Sequence, residues 1–227
     1  MLVGDSPRRD PSQPEREITV SSGQTRLAAT LTVPESAHGL VVFTHGSGSS
    51  RHSPRNRYVA AILNSSGLGT VLFDLLTPEE ERHRSNVFDI GLLAGRLRDV
   101  TTELRTMPGI PRRLGYFGAS TGAAAALYAA ADPASPVAAI VSRGGRPDLT
   151  GAELAQVRAP TLLIVGGLDR TVIELNRAAQ SGLKCENQLR IVPGATHLFE
   201  EPGTLDAVAR LASAWFTDHL APGRSSA

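Results

Sequence analysis

The segment Gly118-Ala119-Ser120-Thr121-Gly122 could hold a reactive hydroxyl at a sharp turn of the chain. It matches the pattern G-x-S-x-G, and it follows an apolar run at 114–117 and precedes a run of helix formers at 123–131. In that context the pattern predicts a nucleophile elbow, a strained strand-to-helix turn that exposes its central serine. Glycines two residues before and after the serine leave room for the neighbouring main chain. Ser120 is therefore the predicted nucleophile.

A serine needs a base that takes its proton, and the base needs an acid that fixes its tautomer. Asp169 follows an apolar run at 161–165, and His197 follows another at 189–192. Each of the two therefore comes after its own predicted strand, and the sequence predicts a catalytic triad of Ser120, Asp169 and His197. Four other carboxylates are rival acids: Asp148, Glu174, Glu200 and Glu201.

Acyl transfer also requires N–H donors for a developing oxyanion. The first donor is expected from Thr121, the residue after the nucleophile, because its amide opens the predicted helix. The second is expected from the glycine-containing loop 44–50, with Ser47 as the first choice and Gly48 as the alternative. His45 in the same loop is interpreted as a structural hydrogen-bonding residue, because a second base has no partner in this scheme.

The pattern of apolar residues predicts an α/β protein. Residues 18–33 alternate apolar and polar side chains around a turn, which is typical of an antiparallel hairpin. The later short apolar runs suit strands buried on both faces of a mostly parallel, doubly wound sheet of about eight strands. These runs lie at 40–44, 70–73, 114–117, 137–142, 161–165 and 189–192. Ligands bind such sheets beyond the carboxyl ends of the strands, where the triad residues are placed.

Helices are expected between these strands. Ser53 and Pro54 predict a helix start, and an apolar stripe from Leu93 to Leu104 predicts a longer helix over about 87–106. Thr150 with Glu153, and Thr171 with Glu174, each fit the capping-box spacing.

The composition of the chain limits the classes of protein to which it could belong. The 227 residues, 41% hydrophobic and with a net charge of +1, indicate one globular domain and give no global reason for binding nucleic acid or a membrane. That domain is expected at 15–220, with disordered tails at 1–14 and 221–227, because the N-terminal segment is polar and proline-rich. Without an apolar leader or span, a cytoplasmic location is expected. The single cysteine, Cys185, is not predicted to take part in catalysis.

Arginines follow several predicted strands. Arg51 and Arg55 lie in the loop after the first parallel strand, and Arg143 follows the apolar run at 137–142. Because a guanidinium binds carboxylate in two-point fashion, one hypothesis is that these residues hold an acidic group of the substrate. The alternative is surface charge paired with Glu79, Glu80 and Glu81.

At these residues the sequence resembles the α/β-hydrolase superfamily, and within it the small, lidless dienelactone-hydrolase-like group. The resemblance covers about 15–220 and depends on the segments at 45–48, 118–122, 167–169 and 194–197. It implies an eight-stranded fold and a hydrolase of carboxylic esters or lactones. Dienelactone hydrolases proper use a cysteine nucleophile, whereas this elbow carries Ser120, which favours a serine esterase. The chain also resembles bacterial hydrolase domains that are joined to phosphoribosyltransferase domains.

The sequence therefore predicts a serine hydrolase that needs no metal or other cofactor and works as a monomer or small homo-oligomer. The expected partner is a small ester or lactone, with an anionic group in one version of the hypothesis. The same triad could instead hydrolyse thioesters or transfer acyl groups. A binding protein that keeps the fold without turnover is the alternative from another class.

Overall fold

The structure is a computed structural model that describes residues 15–222. Eight strands form one sheet in the order β1-β2-β4-β3-β5-β6-β7-β8. The predicted tail at 1–14 and most of the tail at 221–227 lie outside the described residues. The strands are β1 (Arg16–Ser22), β2 (Thr25–Thr32), β3 (Gly39–Thr44), β4 (Leu68–Phe73), β5 (Leu114–Ala119), β6 (Val137–Arg143), β7 (Thr161–Gly166) and β8 (Asn187–Val192).

The sheet changes from antiparallel to parallel along its width. The hairpin β1–β2 is antiparallel and joins β4 antiparallel, and all pairs from β4 to β8 are parallel. The strands β3, β4, β5 and β7 are buried along their whole length, in keeping with their continuous apolar sequences. This is the α/β-hydrolase fold, and the predicted fold class is confirmed.

Helices cover both faces of the sheet. On one face α4, α5 and α6 enclose the larger core, and on the other face α1 and α7 enclose the second core. The helix after the elbow carries four fully or almost fully buried alanines, Ala123–Ala126, whose small side chains let it lie close to the sheet. The helices are α1 (Pro54–Ser65), α2 (Pro78–Glu81), α3 (Arg84–Val87), α4 (Ile90–Leu104), α5 (Thr121–Ala130), α6 (Arg170–Gly182) and α7 (Thr204–Leu220), with a 3₁₀ segment at Pro147–Gln156.

Helix boundaries differ from the predictions in places where side chains have other partners. The long helix begins at Ile90, because the Asp89 carboxylate caps the amide of Leu92, and two short helices occupy 78–87 before it. Neither predicted capping box forms. Thr150 lies inside the 3₁₀ segment, where its hydroxyl donates to the carbonyl of Ala124, and Asp169 rather than Thr171 precedes α6. A capping box forms where none was predicted, between Thr77 and Glu80. No helix within residues 15–222 is long and apolar enough to cross a bilayer.

Candidate active site

The elbow at Ser120 has the geometry that its sequence predicts. Ser120 has φ 51° and ψ −121°, a conformation that side-chain-bearing residues rarely adopt. A Cβ on Gly118 would lie 2.4 Å from the Cα atom of Ala123, and one on Gly122 would lie 2.4 Å from the carbonyl oxygens of Thr44 and His45. Both glycines are therefore required by close approach of the backbone.

Asp169 and His197 are joined by a hydrogen bond. The distance from Nδ1 of His197 to Oδ2 of Asp169 is 2.6 Å. Asp169 follows β7, and its side chain is 16% exposed, whereas the imidazole lies on the loop after β8 and is 40% exposed. Because a carboxylate accepts hydrogen bonds, this contact places a proton on Nδ1 and leaves Nε2 as the basic atom. The imidazole can therefore act as a base toward a substrate that approaches from solvent.

The serine and the histidine border the same short segment at the end of β6. The amide of Ser120 donates a hydrogen bond to the carbonyl of Arg143, at 3.2 Å. The next residue, Gly144, has φ 51°, and a Cβ there would lie 3.5 Å from Cε1 and Nδ1 of His197. The imidazole thus lies against the main chain next to the elbow. The three predicted triad residues are thereby brought to one end of the sheet.

The rival acids have other partners. Glu201 accepts hydrogen bonds from the amide and hydroxyl of Thr196, and these bonds lower the pKa of its carboxyl group. The others form ion pairs: Glu200 with Arg55 at 3.0 Å, Asp148 with Arg146 at 2.7 Å and Glu174 with Arg177 at 2.7 Å.

The predicted oxyanion donors lie next to each other. The amide of Ser47 donates a hydrogen bond of 2.9 Å to the hydroxyl of Thr121. Thr121 is the first residue of α5, so its own amide has no acceptor within the helix, and the positive end of the helix dipole lies at this point. The Ser47 amide therefore already has the Thr121 hydroxyl as its acceptor. A bound carbonyl oxygen must replace that hydroxyl to use both donors.

His45 is a structural residue, as its sequence position suggested. Its Nδ1 atom lies 3.0 Å from the carbonyl of Gly46, and its Nε2 atom accepts a hydrogen bond of 3.1 Å from the amide of Leu75. Both contacts require the neutral ring with the proton on Nδ1. Burial of the ring lowers the pKa of His45 below its usual value. The ring ties the loop after β3 to the loop after β4.

Two of the three candidate arginines are held in ion pairs. The guanidinium of Arg51 binds Asp74 at 2.5 Å and Glu17 at 3.5 Å, and Arg55 binds Glu200. The partners are thus carboxylates other than the three glutamates named in the sequence-based alternative. All of these partner carboxylates lie outside the elbow at 118–122.

Arg143 has a different environment. Its side chain is 7% exposed, and its guanidinium lies 3.4 Å from Oδ1 of Asn56 and 5.8 Å above the ring of Phe199. Within residues 15–222 no carboxylate pairs with it, and burial together with nearby Arg55 lowers its pKa to about 10. The cation thus packs between α1 and the loop that carries His197, where Phe199 has the unusual φ of 57°. This packing could not be predicted from the sequence, because it depends on contacts between distant segments.

A cavity of about 140 Å³ lies beside the elbow. Some of its lining residues had no predicted role in the site. It touches Ser47 and Thr121 and extends to Leu76 and Leu93. Leu93 was recognised only as part of a helix stripe, and the packing of that helix against the loop after β4 decides that it also faces this space. Among residues 15–222 no group of three or more His, Cys, Asp and Glu side chains is arranged to hold a metal ion.

Comparison with known proteins shows which proteins this chain is similar to. Two relatives from Mycobacterium tuberculosis, strains CDC 1551 / Oshkosh and H37Rv, are named putative phosphoribosyl transferases, and each is 62% identical over 220 residues. That match covers 95% of this chain and 49% of each relative, so the chain spans about half the length of these proteins.

Solved structures agree with the fold. A crystal structure of dienelactone hydrolase from Anabaena variabilis ATCC 29413 is 53% identical and has a TM-score of 0.88, covering 91% of this chain and 98% of that one. Est1E from Butyrivibrio proteoclasticus has a TM-score of 0.76 at 15% identity, covering 90% of this chain and 98% of that one, which shows the shared fold alone. Residues 68–218 match the Dienelactone hydrolase family. With that match and the 53% identical relative, the chain belongs to the dienelactone hydrolase family.

Proposed function

We propose that the chain is a serine hydrolase that cleaves carboxylic esters or lactones through an acyl-enzyme on Ser120. The observation that carries the proposal is the 2.6 Å bond from Asp169 to His197, beside a serine held on a strained elbow. Strained backbone conformations of this kind cluster at functional sites in folded proteins. Membership in the dienelactone hydrolase family supports hydrolase chemistry.

The proposed reaction begins when Nε2 of His197 takes the Ser120 proton and Oγ attacks the carbonyl carbon of the substrate. The tetrahedral oxyanion is held by the amides of Thr121 and Ser47, and Asp169 stabilises the imidazolium. His197 then returns the proton to the leaving oxygen, and the alcohol departs. Water, deprotonated by His197, then attacks the acyl group on Ser120. When this second tetrahedral adduct collapses, His197 returns the proton to Ser120 Oγ and the acid leaves, so the enzyme regains its starting protonation. Loss of one oxyanion donor typically costs about 3 kcal/mol of transition-state stabilisation.

The test is the variant Ser120→Ala. It should fold as the parent does, lose turnover of p-nitrophenyl acetate and lose covalent labelling by a fluorophosphonate probe. Circular dichroism and thermal denaturation check the fold. Labelling that persists at parental level in this variant would assign the nucleophile elsewhere and overturn the proposal. Cys185→Ser removes the single thiol of the chain and is the matched control. This variant should keep both activity and labelling.

The two relatives that are named putative phosphoribosyl transferases are about twice as long as this chain. On our proposal, the phosphoribosyl transferase activity that their name states belongs to the half that this chain does not match. Residues 15–222 have the hydrolase fold, and we assign the ester chemistry to this chain. An assay of this chain for phosphoribosyl transfer should therefore give no turnover.

A further inference from the structure

The cavity of about 140 Å³ lies on the oxyanion side of the elbow. Its wall includes Gly46, and a Cβ on Gly46 would lie 3.0 Å from the Cβ atom of Ser120. Ser47 and Thr121, which carry the two proposed oxyanion donors, also line it. A carbonyl group attacked by Ser120 and held by those donors therefore lies at the mouth of this cavity. The substituent that enters the cavity is bonded directly to that carbonyl carbon.

The position of the general base identifies this substituent. His197 must protonate the leaving oxygen, so the alcohol half of the substrate lies on the histidine side. The imidazole lies against Gly144 and Asp169, and neither of these residues lines the cavity. The imidazole therefore lies outside the wall of the cavity, and we place the leaving group beside the imidazole and outside the cavity. The acyl half is the part of the substrate that reaches it.

Away from the oxyanion donors and His45, the lining is mostly apolar. Leu75, Leu76 and Leu93 are at most 4% exposed, and Val87 of the short helix α3 is half-buried. Among residues 15–222, the one acidic lining residue is Glu81, which is exposed at the end of α2, and no lysine or arginine lines the cavity. Such a wall favours an alkyl chain through burial of apolar surface, and it disfavours a carboxylate.

The volume limits the length of the chain. An apolar protein cavity of about 150 Å³ holds one benzene molecule, which has six carbons. We propose that this cavity is the acyl subsite of the serine hydrolase proposed above, selecting neutral, apolar acyl groups of about four to six carbons. This inference depends on the proposed function. It differs from the arginine hypothesis, which placed an acidic group on the substrate.

The first test varies the acyl chain of p-nitrophenyl esters from acetate to dodecanoate. In the parent protein kcat/KM should peak at butyrate or hexanoate and fall by about tenfold or more at decanoate, because added methylenes no longer fit. Leu93→Ala enlarges the cavity and should raise the octanoate-to-butyrate ratio of kcat/KM by about tenfold. Val87→Ala, at a half-buried position, should shift the ratio in the same direction with less risk to folding.

The matched control is Leu92→Ala, the same change one residue earlier in α4 at a position that does not line the cavity. Its octanoate-to-butyrate ratio should remain at the parental value. A second series, in which acetate is fixed and the alcohol is lengthened, should be insensitive to Leu93→Ala and Val87→Ala. If the alcohol series responds and the acyl series does not, the cavity holds the leaving group and the inference is wrong.

The second test concerns charge. p-Nitrophenyl hemisuccinate should be hydrolysed at least about tenfold less efficiently than the butyrate ester of similar length, since its carboxylate has no cation in the cavity. Glu81→Gln should raise the hemisuccinate-to-butyrate ratio several-fold, and Glu79→Gln, two residues earlier, should leave it unchanged. If the parent hydrolyses hemisuccinate as efficiently as butyrate or more so, and Arg143→Ala removes that efficiency, the arginine hypothesis is supported and ours is rejected.

Failure of the two proposals can be told apart. If Ser120 is not acylated by any ester in the series, the proposed function fails. If Ser120 is acylated, as seen by mass spectrometry of the intact protein, but both Leu93→Ala and Val87→Ala keep the parental chain-length profile, the acyl-subsite inference alone fails.

Discussion

Nδ1 of His197 lies 2.6 Å from Oδ2 of Asp169, although 28 residues separate them along the chain. The carboxylate comes from the turn after β7 and the imidazole from the loop after β8. Because these strands are parallel neighbours, their carboxyl ends meet at one edge. The contact selects the tautomer in which Nε2 is free to accept a proton. The proposed reaction requires a base with that property for both proton abstractions, from Ser120 and from water.

Asp169→Asn should disrupt this tautomer while keeping the shape of the side chain. An amide that donates its N–H to the ring would place the proton on Nε2, so we expect kcat for p-nitrophenyl acetate to fall by about 10⁴-fold. Asp148→Asn is the control, since that carboxylate pairs with Arg146 and not with the histidine. Steady-state kinetics check both variants. A drop of less than tenfold for Asp169→Asn, with Glu201→Gln more severe, would move the acid to another residue.

Ser120→Gly should relieve the strain at the elbow. The backbone conformation there costs a residue with a Cβ about 1–3 kcal/mol, and glycine avoids most of that cost. The greater freedom of glycine in the unfolded chain offsets about 0.4–1 kcal/mol. We therefore expect the free energy of unfolding of Ser120→Gly to exceed that of Ser120→Ala by about 1 kcal/mol, and its urea midpoint to be higher. Equal midpoints for the two inactive variants would mean that the turn relaxes without cost.

Gly122→Ala should destabilise the fold strongly. The added methyl group would lie 2.4 Å from the carbonyl oxygens of Thr44 and His45, which are backbone atoms and cannot rotate away. A loss of about 3 kcal/mol or more is expected, at the upper end for overpacked sites. Gly95→Ala is the matched control, because nothing lies within 4 Å of its new Cβ and α4 should gain about 0.5–1 kcal/mol. Urea denaturation measures both; a Gly122→Ala protein as stable as its parent would contradict the close contact.

His45 should make stability depend on pH. Burial lowers its pKa in the folded protein, so below pH about 6.5 the unfolded chain binds a proton that the folded chain resists. The free energy of unfolding should therefore fall as pH decreases from about 6.5 towards the folded-state pKa. Above that range this group adds no pH dependence.

The variant His45→Gln isolates this effect, since its amide can both donate to Gly46 and accept from Leu75 without titrating in this range. Urea denaturation at pH 8 and pH 5 should show a smaller loss of stability in the variant than in the parent. An identical loss in both proteins would assign the pH dependence to other groups.

Much of the architecture and of the candidate site follows from local patterns in the sequence. Apolar runs, turn glycines and the G-x-S-x-G spacing depend on neighbouring residues, so they indicate the strands, the elbow and the loops that carry Asp169 and His197. The parallel sheet then requires these loops to share one edge. Helix ends were less predictable, because Thr171 and Asp169 compete for the same start of α6 and the bond to His197 decides between them.

The tertiary structure decided what surrounds these residues. From the sequence, Arg51, Arg55 and Arg143 were all candidates for binding an acidic group of the substrate. In the folded protein the first two pair with carboxylates, and the third is buried against Phe199. Likewise Leu93 reads as an ordinary core residue, and only the approach of the loop after β4 leaves a cavity beside it. Ion pairs and cavities depend on which distant segments come together and how closely they fit. That information lies in the fold as a whole and not in any short stretch of the chain.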